Sequence, residues 1–192
     1  MTRPELFVFA KRPAMGAAKT RLSRDIGPVH AQRHYRAMTA QILRNVTDPR
    51  WDTTLYVTPK MSVGRVPAWA GFDQRAQPGG SLSPRLAELF SGPPRPVLVI
   101  GTDCPQVRAN DIAEAIQALK KAPFVFGPAS DGGFWLMGAH APLPTDTFDR
   151  IRWSSEHTLS DLEGRIGGHV AKLRMLTDVD DLHGLQVWKR RA

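Results

Sequence analysis

RPVLVIGTDCP, residues Arg95 to Pro105, carries an unbroken apolar run, Val97–Ile100, straight into a Gly-Thr-Asp turn. A short apolar run without polar alternation is what a central strand covered on both faces requires, and such strands belong to parallel sheets. On either side the chain alternates strand-like and helix-like segments. Upstream, ELFVFA reads as a buried strand. A helical pattern starts after Pro28 and reaches Val46, with Ala31, Tyr35, Met38, Ile42 and Val46 on one face. TTLYVT is strand-like, GFDQRA holds a short strand, and SLSPRLAELF is a helix with Ser83 as N-cap and Pro84 at its first position.

Downstream, NDIAEAIQALKKA is an amphipathic helix capped by Asn110 or Asp111. PFVFG is a buried strand, and FWLMG returns beside it after the Asp131-Gly132-Gly133 turn. SSEHTLSDLEGRIG ends as a helix at Gly167, AKLRML is a last strand and DLHGLQVWKRR a last helix. This order predicts a three-layer α/β/α sandwich with a mostly parallel, mixed sheet, formed by residues 1–192 as a single domain.

Composition narrows the function classes. The formal net charge is +8, which favours anionic partners but equally describes an Arg-rich solvated surface. The cations are scattered, and the Lys189-Arg190-Arg191 cluster is too short for a nucleic-acid arm, so no nucleic acid is expected as partner. No apolar run is long enough to span a membrane. The first apolar segment is too short for a signal-peptide core and lacks a small-residue cleavage site. Cys104 is the sole cysteine, which excludes an intrachain disulfide and fits a reduced compartment; the expectation is a cytoplasmic protein.

In open α/β sheets ligands sit beyond the carboxyl ends of the strands, so the loops there hold the chemistry. The loop after the first strand, KRPAMGAAKTRL, nearly matches a phosphate-binding P-loop. Ala18 replaces the glycine before Lys19-Thr20, however, and Pro13 replaces the first one, so that nest is not encoded. What remains is Gly16 for close backbone approach, small Ala17 and Ala18, and the charges Lys11, Lys19 and Arg21 for a di- or triphosphate. The alternative is a basic, solvated connection.

Asp103, just past the central strand, is placed to hold Mg²⁺ or Mn²⁺, or else serves an N-cap or Asx turn. Asp131 with Gly132 and Gly133 can meet a ribose hydroxyl, an acceptor or a metal, or is simply a turn. Asp178, Asp180 and Asp181 follow the last strand; one of them caps the final helix and the others are free to complete a metal site with Asp103. Trp153 stacks on a base or sugar or belongs to the core. His157 is a substrate contact or a solvated helix residue, and Arg85 reaches an anionic ligand or solvent. Cys104 lacks the context of a nucleophile and reads as a small packed side chain.

FAKRPAMGAAKTRL, GTDCP, GPASDGGFWLMG, IRWSS and DVDDLHGL occur in an order and spacing that resembles the radical-SAM/selenodomain-associated transferase family, GT-A-like bacterial proteins often labelled glycosyltransferases. More distantly the chain is similar to the molybdenum-cofactor and phospholactate guanylyltransferases. The resemblance implies a nucleotide-diphospho-sugar-transferase fold. It places Lys11, Pro13, Gly16, Lys19, Thr20 and Arg21 at the nucleotide, with Gly132, Gly133 and Asp131 facing the sugar or acceptor. Asp103 and Asp180 hold the metal. The family's tail usually continues Thr-Pro-Glu-Asp-Leu where this chain has Asp181-Leu182-His183-Gly184-Leu185.

The function expected is a metal-dependent transferase using a nucleotide sugar or a nucleoside triphosphate and a small-molecule acceptor. In it Lys19, Arg21 and Asp131 serve catalysis, and the first loop is a lid and phosphate grip. Two alternatives stand beside it: a nucleotidyltransferase acting on a small phosphorylated acceptor, and a nucleotide-binding accessory or regulatory protein without turnover.

Overall fold

The computed structural model describes residues 3–16 and 18–191, with side chains through Lys189. Its centre is a seven-stranded sheet in the order β3-β2-β1-β4-β6-β5-β7. The strands are β1 (Glu5–Lys11), β2 (Asp52–Thr58), β3 (Asp73–Ala76), β4 (Val97–Ile100), β5 (Phe124–Pro128), β6 (Phe134–Ala139) and β7 (Val170–Lys172). β6 runs antiparallel to both β4 and β5, and the other pairings are parallel. The mixed, mostly parallel sheet thus follows from one tight return, the Asp131-Gly132-Gly133 turn between β5 and β6.

The two sheet faces divide the apolar residues. Leu6, Val8, Leu55, Val57, Leu98 and Ile100 pack on one side, beneath α2 (Pro28–Val46) and α4 (Ala109–Ala118). Phe7, Tyr56, Val97, Val99, Phe126 and Met137 pack on the other, against α3 (Leu82–Phe90) and α5 (Thr158–Ile166). Successive residues of each central strand point to opposite faces, and both faces are covered, so no polar alternation appears in β4. A third cluster joins α1 (Thr20–Ile26), α2 and α6 (Leu182–Arg191) through Leu22, Met38, Val179 and Leu185. Among the described residues no helix is long and apolar enough to cross a membrane.

The departures from the sequence expectations are local. α1 was not anticipated: residues 20–26 are too short and too polar for a periodic signal. α3 begins at Leu82, not at Pro84, and the Ser83 hydroxyl donates instead to the Phe148 carbonyl (2.7 Å). α4 is entered at Arg108, not at Asn110 or Asp111; Asp111 lies three residues in and accepts the Arg108 backbone N–H (2.8 Å). β7 (Val170–Lys172) takes only the first two residues of AKLRML, and Leu176 makes a separate parallel bridge to Ala129. Ala17 and the side chains of Arg190 and Arg191 lie outside the described residues.

β1 and β4 are neighbours whose chains leave toward opposite edges of the sheet. Such a reversal opens a crevice beyond the carboxyl ends of the two strands. The loop 12–19, the Gly101–Pro105 turn, the β5–β6 turn and the segment 177–181 all converge there.

Candidate active site

Two contiguous cavities fill this crevice. One, of about 440 Å³, lies under the first loop and is lined by Lys11, Lys19, Thr20, Arg21, Gln77 and Arg85. The other, of about 500 Å³, lies toward the β5–β6 turn and is lined by Asp131, Gly133, Trp153, Ser154, Glu156 and Asp178. Phe9, Arg21, Gly101, Asp103 and Asp180 belong to both, so they form the shared wall. Cavities of this size suit small-molecule ligands.

The wall is built around Lys19. This residue sits in the left-handed region (φ 55°) at the entry to α1, and its side chain is 3% exposed. Its ammonium bonds Asp103 and Asp180 together, the latter at 2.7 Å. Burial pulls the Lys19 pKa down, but the two carboxylates outweigh it and hold the value above that of an ordinary lysine. Backbone bonds brace the same corner: Leu22 N–H donates to the Asp180 carbonyl (3.0 Å) and Val179 N–H to the Asp103 carbonyl (2.8 Å).

The three acids after β7 have separate partners. Asp181 accepts the Gly184 N–H (2.8 Å) and caps α6. Gly184 is needed there, because a Cβ would collide with the Asp178 carbonyl. Asp178 accepts a bond from the Cys104 thiol (3.1 Å), and its other oxygen is buried without a partner among the described residues. Burial, with Asp131, Asp103 and Asp180 nearby, raises the Asp178 carboxyl to about 6 against the Cys104 bond. Burial and Asp178 push the Cys104 thiol well up, which keeps it protonated and packed, unlike a nucleophile.

On the far side of the acidic cavity Asp131 accepts the Gly133 N–H (2.9 Å). Gly132 does not line the cavity. It lies at φ 86°, and a Cβ there would stand 2.5 Å from Glu156 Cα, so it lets the turn close on the 151–157 segment. That segment is held by Asp161, which accepts three bonds from Arg152 (3.0 Å from its backbone N–H, 2.9 and 2.7 Å from the guanidinium). The Trp153 indole N–H donates to Ser83 Oγ (2.8 Å), which fixes the ring in the cavity wall.

The structure therefore brings together Lys11, Lys19, Thr20, Arg21, Asp103, Asp131, Gly133 and Asp180. Pro13 falls in a different hollow behind the first loop, and a Cβ on Gly16 would meet open space. His157 is exposed beside Glu156 and lines neither cavity. Arg85 reaches the basic cavity, held by Gln77 Oε1 (2.9 Å) and the Gly80 carbonyl (2.8 Å). Phe9, Tyr35, Thr58 and Gln77 line that cavity without having been singled out from the sequence. Phe9 and Tyr35 read there as core residues, and only the end of a strand next to a switch point could have marked Phe9 and Thr58.

A divalent metal is implied by the fold class, and the residues bear on its fit. Among the described residues no three His, Cys, Asp or Glu side chains form a ready-made metal cage. Asp103 and Asp180 nevertheless converge on one cation, the Lys19 ammonium, and are 49% and 40% exposed toward the cavities. Two carboxylates completed by substrate phosphates and water are a donor set that suits Mg²⁺ or Mn²⁺.

The strand order and the crevice match the GT-A-like α/β fold of nucleotide-diphospho-sugar transferases. The chain belongs to the family described as "Uncharacterized protein conserved in bacteria (DUF2064)", whose pattern matches residues 41–155. Among solved structures it is similar to the "putative nucleotide-diphospho-sugar transferase" of Desulfovibrio desulfuricans G20, at 26% identity and a TM-score of 0.85, over all of this chain and 88% of that one. Rv0371c of Mycobacterium tuberculosis H37Rv, solved with manganese, shares the fold at 14% identity and TM-score 0.60, over the whole of both chains. So does CMP:2-keto-3-deoxy-manno-octonic acid synthetase, solved with CTP, at 11% and 0.57, over 99% of this chain and 98% of that one. No curated protein matches the chain by sequence.

Proposed function

We propose that the chain is a transferase acting on a nucleotide sugar, with the nucleotide diphosphate in the basic cavity and the sugar and its acceptor in the acidic one. The observation that carries this reading is the opposite charge of two cavities sharing one wall. Lys11, Lys19, Arg21 and Arg85 outnumber Asp103 and Asp180 in the first. Asp131, Glu156 and Asp178 line the second, where Arg21 is the sole basic residue among the described residues. A phosphorylated acceptor would be repelled there, whereas an uncharged polyhydroxyl ring suits carboxylates beside an aromatic face. This favours glycosyl transfer over nucleotidyl transfer to a phosphorylated acceptor.

The chain's own groups account for binding and positioning. Arg21, on the shared wall, reaches the diphosphate and offsets charge that develops on it as the sugar departs. Lys11 and Arg85 hold the outer phosphate and ribose side. Asp103 and Asp180 would hold Mg²⁺ or Mn²⁺, which when bound supplies charge neutralisation at the diphosphate oxygens. Lys19 keeps these two carboxylates paired and aligned. Trp153 offers a face to the sugar, and Asp131, already oriented by the Gly133 N–H, accepts from a sugar or acceptor hydroxyl. Phe9, Leu82 and Leu86 exclude water from the inner side.

Thermal-shift titration with a panel of nucleotide sugars, nucleoside diphosphates and triphosphates, each with and without Mn²⁺, tests the reading. It predicts metal-dependent stabilisation by a diphosphate ligand that falls at least about tenfold in apparent affinity in Asp103→Asn and Asp180→Asn. Stabilisation unaffected by metal and by both substitutions would leave nucleotide binding without the metal-centred chemistry. Stabilisation by no nucleotide at all would remove the reading.

A further inference from the structure

A third hollow, of about 510 Å³, lies behind the first loop, between that loop, α2 and the short helical segment Pro67–Trp69. Its rim carries three arginines from three separate segments: Arg12, Arg36 and Arg65. Among the described residues no acidic side chain lines it, and none of the three guanidiniums is paired with a carboxylate. Three like charges facing one hollow repel one another, an arrangement that an anion relieves. Thr39, 2% exposed, lies in the floor beneath them. Ala37, Ala40, Val66 and Pro67 give the rest of the lining an apolar character.

We propose that this hollow is a second ligand site, distinct from the crevice at the sheet edge, taking a small molecule with a compact multivalent oxyanion on an uncharged body. Guanidinium forks match phosphoryl and carboxylate oxygens alike, so the oxyanion is the shared chemistry. The site adjoins the crevice through α2. Tyr35 lines both the hollow and the basic cavity, and its hydroxyl bonds the Lys11 N–H (2.9 Å) and the Lys11 carbonyl (2.8 Å). Gln32 holds the Pro13 carbonyl from the same helix (2.8 Å). A ligand between Arg12 and Arg36 therefore sits against the clamp that sets where the first loop leaves β1.

The test is calorimetric titration of the full chain with inorganic pyrophosphate and, separately, with citrate, which tells phosphoryl from carboxylate ligands. The variants are Arg36→Ala/Arg65→Ala, which touches neither crevice cavity, and Arg33→Ala/Arg44→Ala, which removes equal charge from exposed positions of α2 outside the hollow. At least one anion should bind the first variant about tenfold more weakly than the parent while the second stays within about twofold. All four arginines are exposed, so both variants should fold. Equal weakening in the two variants, or no saturable binding of either anion to the parent beyond what the first variant shows, would overturn the proposal. Neither result depends on whether a nucleotide binds at the sheet edge.

Discussion

Lys19 is the residue on which the site turns. Its ammonium is shielded from water while its two carboxylate partners are half-exposed. Removing a buried member of such a cluster leaves two like charges facing each other, at a cost reduced by their solvation. Lys19→Met is expected to lose about 2 kcal/mol of stability in urea unfolding, and a change within about 0.5 kcal/mol would show that the cluster holds nothing together. Gly132 and Gly16 make a second contrast. Both have positive φ, but only Gly132 is pressed against backbone, that of Glu156. Gly132→Ala should cost about 2–4 kcal/mol and Gly16→Ala about 1 kcal/mol, read from the same urea curves. Equal costs would mean that the turn is not packed as described.

At the scale of elements, the 151–157 segment is the wall most dependent on a single ion pair. Arg152 holds the Asp161 carboxyl down to about 2. An acid depressed below its unfolded value of 3.8 contributes stability above that value and loses it as pH falls toward 2. Asp161→Asn should therefore lower the melting temperature at pH 7, with the gap to the parent closing between about pH 4 and pH 2. A gap independent of pH would assign the effect to packing alone. The elements themselves were mostly legible from periodicity, because α2 and α4 show one apolar face and β4 and β5 are covered on both. α1 was not, because it is short and its only buried side chain is Leu22. The sequence misplaces helix entries where the expected capping side chains are engaged elsewhere. Ser83 bonds Phe148 and Trp153, and Asp111 is shared with Arg174 (2.6 Å), contacts that no local pattern encodes.

For the whole molecule, topology does what sequence spacing could not. The parallel-sheet rule placed Asp103, Asp131 and the first loop at one edge, and the strand order puts them around one crevice. What stayed hidden was how the charges sort. Lys19 reads in the sequence as a phosphate contact, yet in the folded chain it ties Asp103 to Asp180. The separation of a basic from an acidic cavity appears only when Gln77, Arg85 and Glu156 arrive from far along the chain. A crystal structure with Mn²⁺ and a nucleoside diphosphate, collected at the manganese edge, is the sharpest test of that division. An anomalous peak is expected at the Asp103 and Asp180 carboxylates, with the diphosphate against Arg21 in the basic cavity. A diphosphate bound among Asp131, Glu156 and Asp178, or a manganese peak away from Asp103 and Asp180, would contradict it.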